Sequence, residues 1–228
     1  MKGAVLDQAS PLIDRRTWTR RDGPLWQIAY DTLLRMIQRR ELPAHVPVVE
    51  NQLAQQLGIS RTPLRQALLR LEIEGRLQKT VNHSYVVRRV ELKEYLQSLR
   101  VRQFLEPEAA ALSAGRIPAD HLAAAHANLL AVKETEPYSM PLHWKSDDEV
   151  HDLFIENCGN DTMADILRSL RVTTNLFEIE RLSERLIPDS QQHERILETL
   201  EQADAGAARE AVADHIQSLF EFAVRTVA

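Results

Sequence analysis

A single cysteine, Cys158, stands in a chain of 228 residues. No internal disulfide can form, and the composition suits a reducing cytoplasm. No apolar stretch approaches the ~20 residues of a membrane span, so no membrane segment is expected. The first residues carry charges and lack the apolar core of a secretory signal. Glycine is scarce, at 7 residues, and aromatics make up only 5%. With Leu, Ala, Glu, Arg and Gln abundant, this scarcity favours helix over sheet. The length suits one large domain or two small ones.

An excess of positive charge is missing too, since the net charge is −5. Divided, the chain reads differently. Residues 1–90 hold 15 Lys+Arg against 8 Asp+Glu, or +7, and residues 91–228 hold 13 against 25, or −12. A basic N-terminal part joined to an acidic C-terminal part points to nucleic-acid contact by the first.

Residues 1–22 are polar, with the arginine pairs Arg15, Arg16 and Arg20, Arg21, and read as a mobile arm. From Pro24 to Arg40 the residues Leu25, Ile28, Ala29, Leu33, Met36 and Ile37 make one helical stripe. A break at Leu42–Pro47 precedes a short helix over Glu50–Leu57, which Gly58 ends. Ser60 then stands as the cap of a third helix, Arg61–Gly75, with Pro63 in its first turn. The period next changes to that of strands, at Leu77–Thr80 and Tyr85–Arg88, around a turn at Val81–Ser84. Three helices and a hairpin over residues 23–90 make a winged helix-turn-helix. Residues 91–228 read as an all-α bundle of six helices, at about 91–114, 118–135, 141–158, 161–182, 188–203 and 206–226.

Arg61, Thr62 and Arg65 open the third helix, the end that faces the major groove in such motifs. Two guanidinium forks four residues apart share a face, and each can grip guanine or a phosphate. The Ser60 and Thr62 hydroxyls suit phosphate. An isolated pair of this spacing is more often a solvated surface; its place in the motif favours function. The run Val49–Leu68, containing Leu53-Ala54 and Gly58-Ile59-Ser60-Arg61-Thr62-Pro63-Leu64-Arg65, followed by Leu71 and Glu74-Gly75, resembles the signature of the GntR family of bacterial transcription regulators. The resemblance covers residues 24–89 and implies operator contact by Arg61, Thr62 and Arg65. Asn51 stands where many relatives carry Arg. The wing-tip glycine corresponds to Ser84, beside His83, which makes these two the candidate wing contacts.

In the C-terminal part, Asp147 and His151 are four apart on one predicted helix and share a face. His193 and His215 lie on the last two helices, at similar distances from the turn between them. An antiparallel pair would put them at nearly one height. If the two faces meet, a carboxylate and three imidazoles converge, a set that suits Zn²⁺, Ni²⁺ or another divalent first-row ion. His143 competes on the same stripe, while His45, His121 and His126 read as surface histidines. Residues 91–226 resemble the FCD ligand-binding domain of the FadR-type branch. The resemblance rests on Leu99–Ala110, Asp147-x-x-Val150-His151, Cys158-Gly159-Asn160, His193-Glu194-Arg195-Ile196 and Asp214-His215-Ile216. Six helices resemble the VanR-like subgroup, and all four ligand positions of the metal-binding members are present.

The resemblance implies a homodimer binding a palindromic double-stranded DNA operator, as a repressor in the family's commoner mode, under control of a small organic acid. An open-coordinated ion would attract such a carboxylate. Arg100 or Arg102 could pair with it, and Arg171 and Asn175 are further pocket candidates. Two other readings stay open: a metal that is structural or is itself the signal, and a metal-dependent hydrolase. No general base at a recognisable spacing supports the hydrolase, so the chain is not expected to be an enzyme.

Overall fold

The computed structural model describes residues 23–177 and 181–227. The expected arm at 1–22 lies outside them. The chain divides into two compact units, Met1–Arg89 and Val90–Ala228.

The first unit contains α1 (Leu25–Gln38), α2 (Glu50–Leu57), α3 (Arg61–Ile73), β1 (Leu77–Lys79) and β2 (Tyr85–Val87). The stripe on α1 buries Ala29, Leu33, Met36 and Ile37. It packs on α3, whose Leu64, Ala67, Leu68 and Leu71 are buried on the facing side. Each such leucine contributes about 2 kcal/mol of apolar burial. Helix α2 stops where expected. Gly58 takes a left-handed φ of 69°, and the next N–H, on Ile59, reaches back to the Ala54 carbonyl at 3.0 Å. That closure satisfies the last carbonyls of the helix, and only glycine adopts it without strain. Strands β1 and β2 pair antiparallel, with Leu77 opposite Val87 and Lys79 opposite Tyr85. The segment between α1 and α2 is more than a break. Ala44 bridges to Val87, and the Val48 N–H donates to the Tyr85 carbonyl at 2.7 Å, which ties the segment to the hairpin.

The second unit contains α4 (Leu92–Ser113), α5 (Ala119–Lys133), α6 (Met140–Asn157), α7 (Asp161–Leu176), a 3₁₀ turn (Leu182–Arg185), α8 (Leu186–Glu201) and α9 (Ala205–Val227). Helix α4 runs against α6, α7 and α9; α8 packs on α5 and α9. Two boundaries differ from the sequence expectation. Helix α7 ends at Leu176 and not at 182, because Phe177 turns extended and stacks on Tyr95 at 4.5 Å between ring centroids. Helix α8 begins at Leu186, before Pro188 and not at it. Proline is tolerated there because first-turn N–H groups have no helical partner anyway.

The α8–α9 hairpin turns at Ala203, and the Asp204 carboxylate accepts the N–H groups of Gly206 at 3.0 Å and Ala207 at 2.9 Å. Asp204 is therefore the N-cap of α9. Asp204→Ala should cost about 1 kcal/mol. That corresponds to a fall of about 2–4 °C in melting temperature, readable by circular dichroism; an unchanged melt would show the cap to be idle.

Candidate nucleic-acid interface and metal centre

Arg61, Thr62 and Arg65 are exposed on the first turns of α3. The first turn of α2 holds both arginines. Arg61 Nη1 donates to Asn51 Oδ1 at 3.3 Å, and Arg65 Nε donates to Glu50 Oε2 at 2.7 Å. Glu50 raises the Arg65 pKa above its ordinary value, chiefly through this hydrogen bond. Asn51, which stands where the family pattern has Arg, here braces an arginine of α3. Ser60 stands at the N-cap with extended backbone, but its side chain makes no capping bond. The expected cap is thus one of position alone. At the hairpin tip the left-handed residue is His83, with φ 57°, not Ser84. Its N–H bonds the Thr80 carbonyl at 2.9 Å, and the Thr80 N–H bonds the Ser84 carbonyl at 2.9 Å. Lys79 on β1 pairs with Glu72 on α3 at 2.8 Å, linking the hairpin to that helix.

In the second unit, α6 supplies Asp147 and His151, α8 supplies His193 and α9 supplies His215. One ligand atom from each of these four buried residues lies within 4.8 Å of the others. The hydrogen bonds around them define what the cluster can accept. The Glu106 carboxylate takes a bond from His151 Nδ1 at 2.7 Å, and Gln192 Oε1 takes one from His215 Nδ1 at 3.1 Å. Each Nδ1 therefore carries a proton, which leaves the Nε2 of a neutral ring with its lone pair turned inward. These two Nε2 atoms stand 3.2 Å apart. His193 Nε2 lies 3.5 Å from Asp147 Oδ1 and has no hydrogen-bond partner among the described residues. Lone pairs facing one another without a donor repel unless a cation lies between them. The residues thus fit a divalent ion with three nitrogen ligands and one oxygen.

The protonation states agree. Burial lowers His193 to about 4. Burial, with His193 and His151 adding to it, also depresses His215 well below the usual imidazole range. Burial alone would raise Asp147, yet Arg171 and the surrounding imidazoles hold it well below the carboxylate range. Neutral imidazole and ionised carboxylate are the metal-binding forms.

Comparison with known proteins follows the same division. Residues 26–87 match the family model of bacterial regulatory proteins, gntR family, and residues 97–218 match that of the FCD domain. The chain belongs to the GntR family, in its FCD-containing branch. The Nta operon transcriptional regulator of Aminobacter aminovorans is 31% identical over 173 residues, covering 75% of this chain and 81% of that protein. A probable D-xylose utilization operon transcriptional repressor of Paenarthrobacter nicotinovorans is 24% identical, covering 82% and 83%. The structure of E. coli McbR/YncC superposes with a TM-score of 0.74 at 20% identity, covering 90% of this chain and 99% of that one, which shows a shared fold. Family and relatives are transcription regulators, not enzymes.

Of the regulator's expected pocket residues, Arg171 reaches the cluster itself, while Asn175 and Arg102 reach residues bonded to Arg171 and His151. Arg171 Nη2 donates to Asp147 at 2.9 Å and to Asp148 at 2.7 Å. The Asn175 amide donates to Asp148 at 3.1 Å. Arg102, fully buried, donates to Glu106 at 2.5 Å and to Thr174 at 2.6 Å. Arg100 is not brought there. It is exposed, lies 4.0 Å over the Phe220 ring and bonds Gln103 at 3.0 Å. Of the two arginines left open by sequence, the buried one is Arg102. His143 is buried but lies outside the four-residue group, with Nε2 3.2 Å from Asp189 and Nδ1 3.1 Å from the Tyr138 hydroxyl. His45 and His121 are exposed, and His126 pairs with Glu201 at 3.3 Å. Sequence reasoning missed Glu106, Asp148 and Gln192. The available signal was Glu106 four residues after Arg102, an ion-pair spacing on a helix.

Proposed function

We propose that this regulator binds a palindromic operator as a homodimer and represses transcription until a small organic acid enters its FCD domain near a divalent metal. The observation that carries the reading is the buried Asp147, His151, His193 and His215 cluster, with inward lone pairs, in a chain that also presents Arg61 and Arg65 on a recognition helix.

In this reading residues 23–90 bind DNA. Arg61 and Arg65 read base edges, while Ser60, Thr62 and the helix N-terminus take phosphates. Asn51 orients Arg61, and His83 and Ser84 approach the backbone or minor groove from the wing. Residues 91–228 bind ligand and dimerise. Dimerisation supplies two recognition helices for two half-sites. The relatives named as operon regulators, one of them a repressor, support repression. Among the described residues no helix is long and apolar enough to cross a membrane, and we place the protein's action in the cytoplasm.

Asp147, His151, His193 and His215 would hold the ion, Zn²⁺ or Ni²⁺. When bound, it supplies a Lewis-acidic position for a carboxylate. The protein's own residues do the rest. Glu106 and Gln192 fix the two imidazole tautomers, as outer partners of ligating histidines do. Arg102 and Arg171 bring positive charge to the acid. A ligand controls DNA affinity only through different affinity for the two arrangements of the dimer.

The test is a mobility-shift titration on the DNA upstream of the protein's own gene, with intact and halved palindromes. Binding to the intact site at least tenfold tighter than to the half-site, weakened by small carboxylates only when metal is present, is the expected result. Equal binding to both sites would remove the dimer, and carboxylate effects indifferent to chelator would remove the metal.

A further inference from the structure

One carboxylate stands on the face assigned above to DNA. Residues 23–90 carry five acidic residues. Asp31 accepts from Gln27, Glu41 pairs with Arg39, Glu72 with Lys79, and Glu74 with Arg70 and the Tyr30 hydroxyl. None of these partners lies in the first two turns of α3. Glu50, at the start of α2, does meet that opening, through the 2.7 Å bond from Arg65 Nε. A carboxylate there opposes the attraction to phosphates that supplies non-specific affinity. The Glu50 side chain is only 25% exposed, whereas that of Arg65 is 60% exposed. The carboxylate is thus the seated member of the pair and the guanidinium the presented one.

The atom that Glu50 engages defines what it does. A guanidinium carries N–H donors on Nε and on both terminal nitrogens. Glu50 takes the Nε donor. Nη1 and Nη2 of Arg65 make no hydrogen bond among the described residues and stand as an end-on fork. That fork matches the O6 and N7 acceptors of guanine. Arg61, by contrast, is braced by the neutral amide of Asn51 at 3.3 Å, which brings no charge. We infer that Glu50 sets the sequence specificity of this regulator: it aims the Arg65 fork at guanine and repels phosphate, so that Arg65 does not settle on the backbone of unrelated DNA. The inference rests on the reading of α3 as the recognition helix. Glu50 acts through Arg65 and is a positioning residue. Discrimination is a difference between two affinities, and weakening the wrong complex raises it as surely as strengthening the right one. The charge of Glu50 opposes every DNA, and the loss is recovered where guanine meets the fork.

The experiment uses the full-length protein and fluorescence anisotropy on two labelled duplexes, the operator located by the titration above and a scrambled duplex of the same length and composition. The ratio of their affinities is the readout. Glu50→Gln keeps the length and an acceptor oxygen but removes the charge. In low salt it should bind the scrambled duplex about threefold tighter, the size of an exposed charge pair, with a smaller gain on the operator. Glu50→Ala also releases the fork, and should lower the ratio about tenfold, as should Arg65→Ala, in the lower range for one base contact. In the double variant the two losses should not add, because they remove one contact. A Glu50 that merely supports α2 would weaken both duplexes alike and leave the ratio where it was. That result, losses that add in the double variant, or a Glu50→Gln protein no tighter on scrambled DNA, overturns the role of Glu50 alone. An unchanged ratio in Arg65→Ala overturns the reading of α3 with it.

Discussion

Replacing Arg61 and Arg65 together by alanine is expected to lower operator affinity by at least about thirtyfold while leaving the fold intact. Each arginine that binds a base bidentately contributes about 1–3 kcal/mol of discrimination, so the pair accounts for about 2–6 kcal/mol. Both side chains are exposed on α3, and their removal opens no cavity. The melting temperature should therefore stay within a degree or so of the parent. Fluorescence anisotropy on labelled operator, run beside a melt, separates the two effects. The loss should be smaller on unrelated DNA, because part of what disappears is sequence reading and part is charge. A double variant that still binds its operator with parental affinity would move the recognition surface away from α3.

Stripping metal is the second large effect. Binding at a thousand times Kd stabilises a folded state by about 4 kcal/mol, and about 1 kcal/mol moves the melt of a domain this size by about 2–4 °C. Exhaustive chelation should lower the transition of the C-terminal unit by about 10 °C, and Zn²⁺ or Ni²⁺ should restore it. His193→Ala should abolish both the stoichiometric ion and the chelator response. Glu106→Gln should weaken metal affinity by about tenfold or more, since the carboxylate orients His151. A purified chain without a divalent ion, and a melt indifferent to chelator and metal alike, would remove the metal from the account.

Much of this architecture is legible in the sequence. Gly58 and Pro63 bracket the turn of the helix-turn-helix because few residues tolerate a left-handed φ or an unpaired first-turn nitrogen. Asp147 and His151 share a face by helical arithmetic, and the position of the α8–α9 turn brings His193 level with His215. Helix α4 was harder to read. It buries Ser98, Arg102, Glu106 and Ser113 while leaving Phe104 79% and Val101 43% exposed. Its buried face mixes these with Tyr95, Leu99, Ala109 and Ala110, so no clean apolar stripe sets its rotation, and the sequence leaves Arg100 level with Arg102. The end of α7 carries no glycine or proline; a long-range stack with Tyr95 accompanies the turn at Phe177. Gln192 gains its role from two side chains on other elements, His215 and Arg185, which no local pattern announces.

The depressed pKa values in the cluster bear on how the regulator would answer its surroundings. His193 at about 4, His215 lower than usual and Asp147 already ionised have shed their protons well before neutrality. An ion entering the cluster displaces no proton from these three ligands. At these three positions occupancy would then follow the supply of the metal and not the surrounding acidity, and the organic acid could signal only where that supply is met.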